Sequence, residues 1–500
     1  MYGVGTSWVH NSFLAIGDIS SEVSILVTAL FVLASAVIFM GVVAIIQAIW
    51  VRLPRFVQTG EKAYTLSFSV SKESRRYSAL GTALGWIAFE IVNTLMVSDI
   101  AFPWLQAGYA FIDTWLVGLA TVGGVALVSF FVLVTAIALY RIQRIRIFTM
   151  VLAIFPWLLG IGLINVPWTQ PIEEKEIVLV QSNLSITEKL AADGFTQSWR
   201  TQTRLSMEEV GADFVIWPEG ALPTTLSSEV KDSLYTLAAH TRASMIVGMF
   251  GESMSENYEV VLHNIAVGVS KFAPEYEEYK KLKMAPFGEK IPFEPILGPI
   301  VRWLDIPIRS IDSGIEAQDN MVLDGVNVGV TICYEIAFPS YIANRSRGAE
   351  FLVTLSEDGW FGNSIGPAQH MQIARMRSIE TGRYLARATT KGISGIVNPK
   401  GRIISTMPAN ERGVVRGTIH TMEGETWFVR YASKLPGWIW GAFAVLGGGF
   451  LSAFAGVLGM LFLRRFVSTA NDASDSDEDA EVEGATEEED AEIDLRMTAE

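Results

Sequence analysis

The 500-residue chain has a single cysteine, Cys333. No internal disulfide can form, and a zinc site built from clustered thiolates is excluded. Histidine is almost as scarce. The five, His10, His240, His263, His370 and His420, show neither HxH nor HExxH spacing, so neither a metal nor another cofactor is expected. No basic stripe runs along any segment, which argues against nucleic acid as a partner. Residues 1–23 lack both Lys and Arg and have no apolar h-region, so no cleavable signal peptide is expected there. No internal repeat is found. Apolar residues are what the chain has in excess, at 50%. The net charge of −15 is mostly a local matter. Residues 471–500 hold 14 Asp/Glu against one Arg, leaving −2 for the rest. The acidic end, 466–500, reads as a solvated, disordered tail.

Five segments are apolar and about 20 residues or longer, enough to span a bilayer: 24–50, 78–98, 116–140, 147–165 and 437–463. The second contains Glu90, which should face protein or water. Basic residues alternate between the connections. Residues 51–77 carry Arg52, Arg55, Lys62, Lys72, Arg75 and Arg76, 99–115 carry none, 141–146 carry three arginines, and Arg464 and Arg465 follow the last span. Basic loops stay cytoplasmic. The large segment between the fourth and fifth spans is therefore expected outside, and the tail inside.

Residues 171–425 read as a folded α/β domain between these membrane segments. Apolar runs at 176–184, 212–220, 243–250, 263–270, 327–335 and 350–362 alternate with helical patterns near 193–210, 226–240, 336–347 and 367–385. Cys333 closes one run, in which Val326, Val328, Val330 and Ile332 share a face. A thiol between a strand and a helix start gains from the helix dipole, which favours thiolate; alone, it reads equally well as an inert core residue. Glu219, in WPEG, follows another run and can take a thiol proton, or merely cap a loop. Lys281 lies among Lys280 and Lys283, ahead of the turn PFGE, and is either a solvated base or an ammonium that stabilises thiolate and oxyanion. Glu289 and Glu335 lie close in sequence to these points as further carboxylates, or as ion-pair partners.

Glu, Lys and Cys in this order, each by a strand end, make the chain resemble the nitrilase (carbon–nitrogen hydrolase) superfamily. The stretches GVGTSWVH (3–10), FPWLQAGY (102–109) and LVTLSEDGWFGNSIGPAQHMQIARMRSIETGRYLARAT (352–389) resemble its membrane branch, the apolipoprotein N-acyltransferases. The resemblance covers about residues 1–460. It implies an α-β-β-α sandwich inserted between transmembrane helices, in a multi-pass protein of the bacterial inner membrane. It also implies an acyl chain passing from a phospholipid, through a Cys333 thioester, to the α-amine of a diacylglyceryl-cysteine at a lipoprotein N-terminus. By the family spacing Lys281, not its neighbours, holds the oxyanion, with the Tyr334 backbone N–H as second donor, and Glu219 is the base. Glu289, Tyr334 and Glu335 are implied as supporting residues. Trp360 and Phe361 line the acyl and lipid passage, or are core aromatics. The protein is expected to act as a monomer on two substrates, the phospholipid donor and the lipoprotein acceptor.

The sequence departs from the family pattern in three places. Further spans usually precede the GxGxSWV stretch, so a shortened or misassigned start is expected. Glu357 and Gly359 stand where Asn and Ala are usual, and Lys391 where Asn or Thr is. A membrane-anchored amidase, using water as second nucleophile, would carry the same triad. An inactive homologue would leave the thiol dispensable.

Overall fold

The apolar runs become strands because their alternate side chains have two layers to enter. The computed structural model describes residues 2–15, 19–52, 55–58, 64–67, 78–95, 102–140, 146–255, 258–303 and 311–434, all within one contact unit, Met1–Gly441. The last apolar segment (437–463) and the acidic tail lie outside the described residues.

The N-terminal part holds α1 (Trp8–Ala15), α2 (Ser21–Arg52), α3 (Ser78–Leu95), α4 (Ala120–Tyr140) and α5 (Arg146–Ile164). Among the described residues, two stretches are long and apolar enough to cross a membrane, Ser21–Ala48 and Trp115–Tyr140; Ala153–Ile164 is a shorter apolar helix. Trp115–Leu119 is a 3₁₀ turn, and α4 breaks at Gly124, whose φ is +66°. There the Val125 N–H donates to the buried Glu380 carboxylate at 2.7 Å. A side chain at Gly124 would strike the Phe428 ring at 2.7 Å. Glu90 is buried, as expected, and accepts from Trp86 Nε1 and the Ala107 N–H, each at 2.8 Å.

The second part follows as β1 (Thr169–Gln181), α6 (Ile186–Leu190), α7 (Gly194–Met207), β2 (Phe214–Trp217), α8 (Ser228–Thr241), β3 (Ser244–Met254), β4 (Val260–Val269) and β5 (Tyr276–Lys280). Then come α9 (Glu294–Trp303), β6 (Met321–Leu323), β7 (Val326–Ile332), α10 (Pro339–Arg345), β8 (Phe351–Ser356), α11 (Gly366–Thr381), β9 (Leu385–Thr389), β10 (Ser394–Val397), β11 (Ile403–Met407), β12 (Gly413–Gly424) and α12 (Trp427–Arg430).

Two six-stranded sheets result, ordered β12-β1-β2-β3-β4-β5 and β11-β10-β9-β8-β7-β6. Three parallel strands lie in each, β1-β2-β3 and β7-β8-β9. The sheets pack through Leu179, Phe214, Ile216, Val328, Val330, Ile332, Val353 and Leu355, every second residue along their strands, as a strand's period of two requires. The other face of the first sheet packs on α7 and α8 through Val215, Trp217, Leu205 and Leu234. The other face of the second carries α10 and α11, and its core continues through Ile342, Ile373 and Met376 to Trp8, Trp104 and Leu116 of the N-terminal part. The layers are α-β-β-α, as the resemblance implied. Strands β5, β6 and β9 to β12 fall outside the predicted runs.

Candidate active site

In open α/β sheets the reactive groups gather beyond the carboxyl ends of the strands. Glu219 lies two residues past β2, Lys281 directly past β5, and Cys333 directly past β7. Cys333 adopts φ = +51°, a left-handed conformation costing a non-glycine residue roughly 1–3 kcal/mol. It opens a 3₁₀ turn, Cys333–Ala337, so the chain reverses sharply at the thiol.

Glu219 and Lys281 are both buried and in direct contact, with Nζ 3.0 Å from Oε1. Lys281 also reaches Glu289 at 2.8 Å. Asn264, on β4, donates its Nδ2 to both carboxylates, at 2.7 Å to Glu219 and 3.0 Å to Glu289. The Glu357 N–H donates to Glu219 Oε2 at 2.8 Å. Gly248 of β3 passes directly beneath; a Cβ there would lie 2.3 Å from the Pro218 carbonyl oxygen and 2.7 Å from Glu219 Cα.

The charges explain the protonation states. Burial pushes the Glu219 carboxyl up, but the Lys281 ammonium and the two further donors, Asn264 Nδ2 and the Glu357 N–H, outweigh it and hold the group below its ordinary 4.5. Burial works against the Lys281 ammonium, yet Glu219 and Glu289 keep it charged well above its usual range. Burial and the Glu219 carboxylate drive the Cys333 thiol well up, against the pull of Lys281. The expectation of a favoured thiolate is therefore corrected: the resting thiol is protonated, because a carboxylate as well as an ammonium faces it and the turn behind it is too short for a large dipole.

Glu335 is fully buried. Its Oε2 accepts from the Ile332 N–H at 2.8 Å and Tyr279 Oη at 2.7 Å. Its Oε1 accepts from the N–H groups of Leu282 and Lys283, at 2.6 and 3.1 Å. It thus ties the residues flanking Cys333 and Lys281 together. Tyr334 is buried, edge-on to Phe338. Phe361 is buried among Trp8, Trp104 and His370, and Trp360 is partly exposed, its carbonyl held by Ser12. The departures Glu357 and Gly359 sit here too. Glu357 pairs with Lys189, whose Nζ also donates to the Gly220 carbonyl at 3.1 Å, and accepts from the Gly359 N–H at 2.9 Å.

Sequence reasoning missed Asn264, Lys189, and the buried Asp358, His370 and Arg387. Asn264 had a signal, a lone amide inside the apolar run HNIAVGVS. Among the described residues no cluster of His, Cys, Asp and Glu is arranged to hold a metal ion.

The family model for carbon–nitrogen hydrolases matches residues 178–427, from β1 to the start of α12. That for the apolipoprotein N-acyltransferase N-terminal domain matches residues 1–138. The chain is 30% identical to the apolipoprotein N-acyltransferase of Pseudomonas syringae pv. tomato over 442 residues, 87% of this chain and 83% of that protein. It is also 30% identical to the apolipoprotein N-acyltransferase of Vibrio cholerae serotype O1 over 454 residues, 88% and 84% of the two. The chain belongs to the apolipoprotein N-acyltransferase family. Among solved structures, a carbon–nitrogen hydrolase from Helicobacter pylori G27 is 14% identical with a TM-score of 0.39, over 49% of this chain and 89% of that one. In this apolipoprotein N-acyltransferase family member the two matched regions meet at Phe361 and α11, where Trp8 and Trp104 pack.

Proposed function

We propose that the chain transfers a fatty acyl group from a membrane phospholipid to the α-amine of the N-terminal diacylglyceryl-cysteine of a lipoprotein. One observation carries this reading: Glu219 and Lys281 form a buried pair, and Glu335 ties the strand end that carries Cys333 to the one that carries Lys281, in a chain of this family.

The thiol is neutral at rest, so Glu219 takes its proton as sulfur attacks the ester carbonyl carbon. The carbonyl electron pair moves onto oxygen, and the Lys281 ammonium and Tyr334 N–H stabilise the oxyanion. Collapse breaks the ester C–O bond. The lysophospholipid oxygen leaves with the proton from Glu219, and a thioester remains. The lipoprotein amine then attacks the thioester, Glu219 takes the amine proton, the C–S bond breaks, and sulfur recovers a proton. Kinetics are ping-pong. Glu289 holds Lys281, Glu335 fixes the distance between the two strand ends, and Trp360 and Phe361 flank the acyl passage. The loop charges support a catalytic domain on the outer face of the membrane, where the donor need not leave the bilayer. A single active chain is sufficient for this chemistry.

The test is intact-mass spectrometry after incubation with phosphatidylethanolamine. A one-acyl mass gain, absent in Cys333→Ala and discharged by a diacylated lipopeptide, is expected. Discharge as free fatty acid whether or not lipopeptide is present would make the protein a hydrolase. No gain in the wild type would refute the acyl-enzyme.

A further inference from the structure

Two adjacent residues of α11, Gln369 and His370, reach in different directions, because neighbours on a helix stand about 100° apart. Gln369 reaches the N-terminal part. Its Oε1 accepts from Trp104 Nε1 at 2.8 Å and Trp8 Nε1 at 3.1 Å, and its Nε2 donates to the Gly5 carbonyl at 3.0 Å. Two indole N–H donors on one atom require that atom to be oxygen, which fills both of its lone pairs. Trp8 and Trp104 are buried against each other, ring centroids 5.1 Å apart.

His370 reaches the nucleophile. It is fully buried, and its Nε2 lies 3.3 Å from the Cys333 carbonyl oxygen. A carbonyl only accepts, so Nε2 carries the proton. Nδ1 lies 3.0 Å from both Arg387 Nη2, which only donates, and Asp358 Oδ1, which only accepts. It takes the Arg387 N–H or, when protonated, donates to Asp358. Nε2–H faces the Cys333 carbonyl in both states, and Asp358 also holds the guanidinium at 2.7 Å.

The bonded carbonyl belongs to the peptide unit that also carries the Tyr334 N–H. That unit is planar and trans, so its C=O and N–H point in opposite directions. Holding the carbonyl aims the N–H. Cys333 is left-handed without being glycine, so this orientation needs outside support.

We propose that Gln369 and His370 are positioning residues that couple the seating of Trp8 and Trp104 to the nucleophile turn. The indole bonds set the first turns of α11, and through His370 that turn fixes the Cys333–Tyr334 peptide. The catalytic consequence rests on the acyl-transfer reading above; the coupling itself does not.

The experiment uses the full chain in detergent with phosphatidylethanolamine as donor. Trp104→Phe keeps an aromatic side chain but removes the N–H together with the pyrrole half of the indole; Gln369→Ala removes the acceptor; the double variant closes the cycle. Two readouts are followed: hydrogen exchange of the peptide covering 332–338, and the rate of Cys333 acylation. Each single variant should exchange there about 10-fold faster and acylate about 10-fold slower at saturating lipid, with half-saturation unchanged. The double variant should be no worse than the singles. His370→Ala should be slower still, and His370→Gln, whose amide can donate at the Nε2 position, should recover part of the loss. Iodoacetamide alkylation of Cys333, the sole thiol, should stay within about 2-fold, showing an intact fold. Unchanged exchange at 332–338, additive losses in the double variant, or acylation and alkylation falling together would each overturn the coupling. A wild type that takes no acyl group would refute the transfer reading, while the exchange comparison would still decide the coupling.

Discussion

Replacing Glu335 by Gln changes one atom type and breaks a tie that spans the two sheets. Each carboxylate oxygen accepts two hydrogen bonds, from the Ile332 N–H and Tyr279 on one side and from the Leu282 and Lys283 N–H groups on the other. An amide can serve one pair only. With its NH₂ on the Oε2 side, the Tyr279 hydroxyl can accept from it and donate to Tyr341 instead, so only the Ile332 N–H loses its acceptor, in a site closed to water. An unsatisfied buried donor costs about 1–3 kcal/mol, an appreciable part of a domain's stability of about 5–15 kcal/mol. Thermal unfolding of the detergent-solubilised protein should shift down by about 5 °C. The catalytic effect should be separable. Ile332 adjoins Cys333 and Leu282 adjoins Lys281, so loosening either bond pair lets the ammonium drift from the oxyanion position, and a drift of about 1 Å costs about 100-fold in rate. Acyl-enzyme formation, measured by intact mass well below the unfolding temperature, should slow by that order in Glu335→Gln. Retained acylation with a lowered midpoint would leave Glu335 a stability residue only. If neither changed, the tie would be wrong.

Other perturbations test the remaining parts. Glu219 is held below its ordinary value, so it is ionised, and its contribution to stability is complete, above about pH 4.5; both fade as pH falls through its lowered value. Removing the ammonium in Lys281→Met should move the acid limb of the acylation rate to higher pH and lower its plateau, and an unmoved limb would mean that another group sets it. Gly248→Ala places a methyl group against the backbone at Pro218 and Glu219 and should cut acylation about 100-fold, with alkylation of Cys333 changed far less; a wild-type rate would show that β2 can yield. Glu357→Leu strands the buried Lys189 ammonium and should cost about 3–5 kcal/mol, most of it recovered in Lys189→Met/Glu357→Leu. Thermal denaturation of the four proteins in that cycle checks this, and additive losses would count against a coupled pair.

The legible parts of this chain were those in which one residue declares its own role. Strands β2, β7 and β8, the second half of β1, the first half of β3 and the second half of β4 announce themselves because both sheet faces are covered there and their residues are nearly all apolar. Strand β12 does not. Its sequence, GVVRGTIHTMEG, mixes apolar and polar residues because it is an edge strand, and only its pairing with β1 makes it the longest neighbour in the first sheet. Glu219 and Cys333 stand at ends of legible strands, and the family spacing separates Lys281 from Lys280 and Lys283. The structure adds the physical difference: Lys281 is 1% exposed between two carboxylates, while Lys280 lies at the end of β5 beside Glu278. The sign of the thiol shift was not legible. Sequence proximity to a helix start, and a lysine expected beside the thiol, both argued for thiolate, but the outcome depends on the Glu219 carboxylate, brought in from the opposite sheet, and on burial. The same holds for Asp358, His370 and Arg387, which lie 12 and 17 residues apart along the chain and meet only because β8, α11 and β9 are consecutive elements packed on one sheet. Their charges balance one another in a site closed to water, with His370 Nδ1 between Asp358 and Arg387 and its Nε2 against the Cys333 carbonyl oxygen at 3.3 Å.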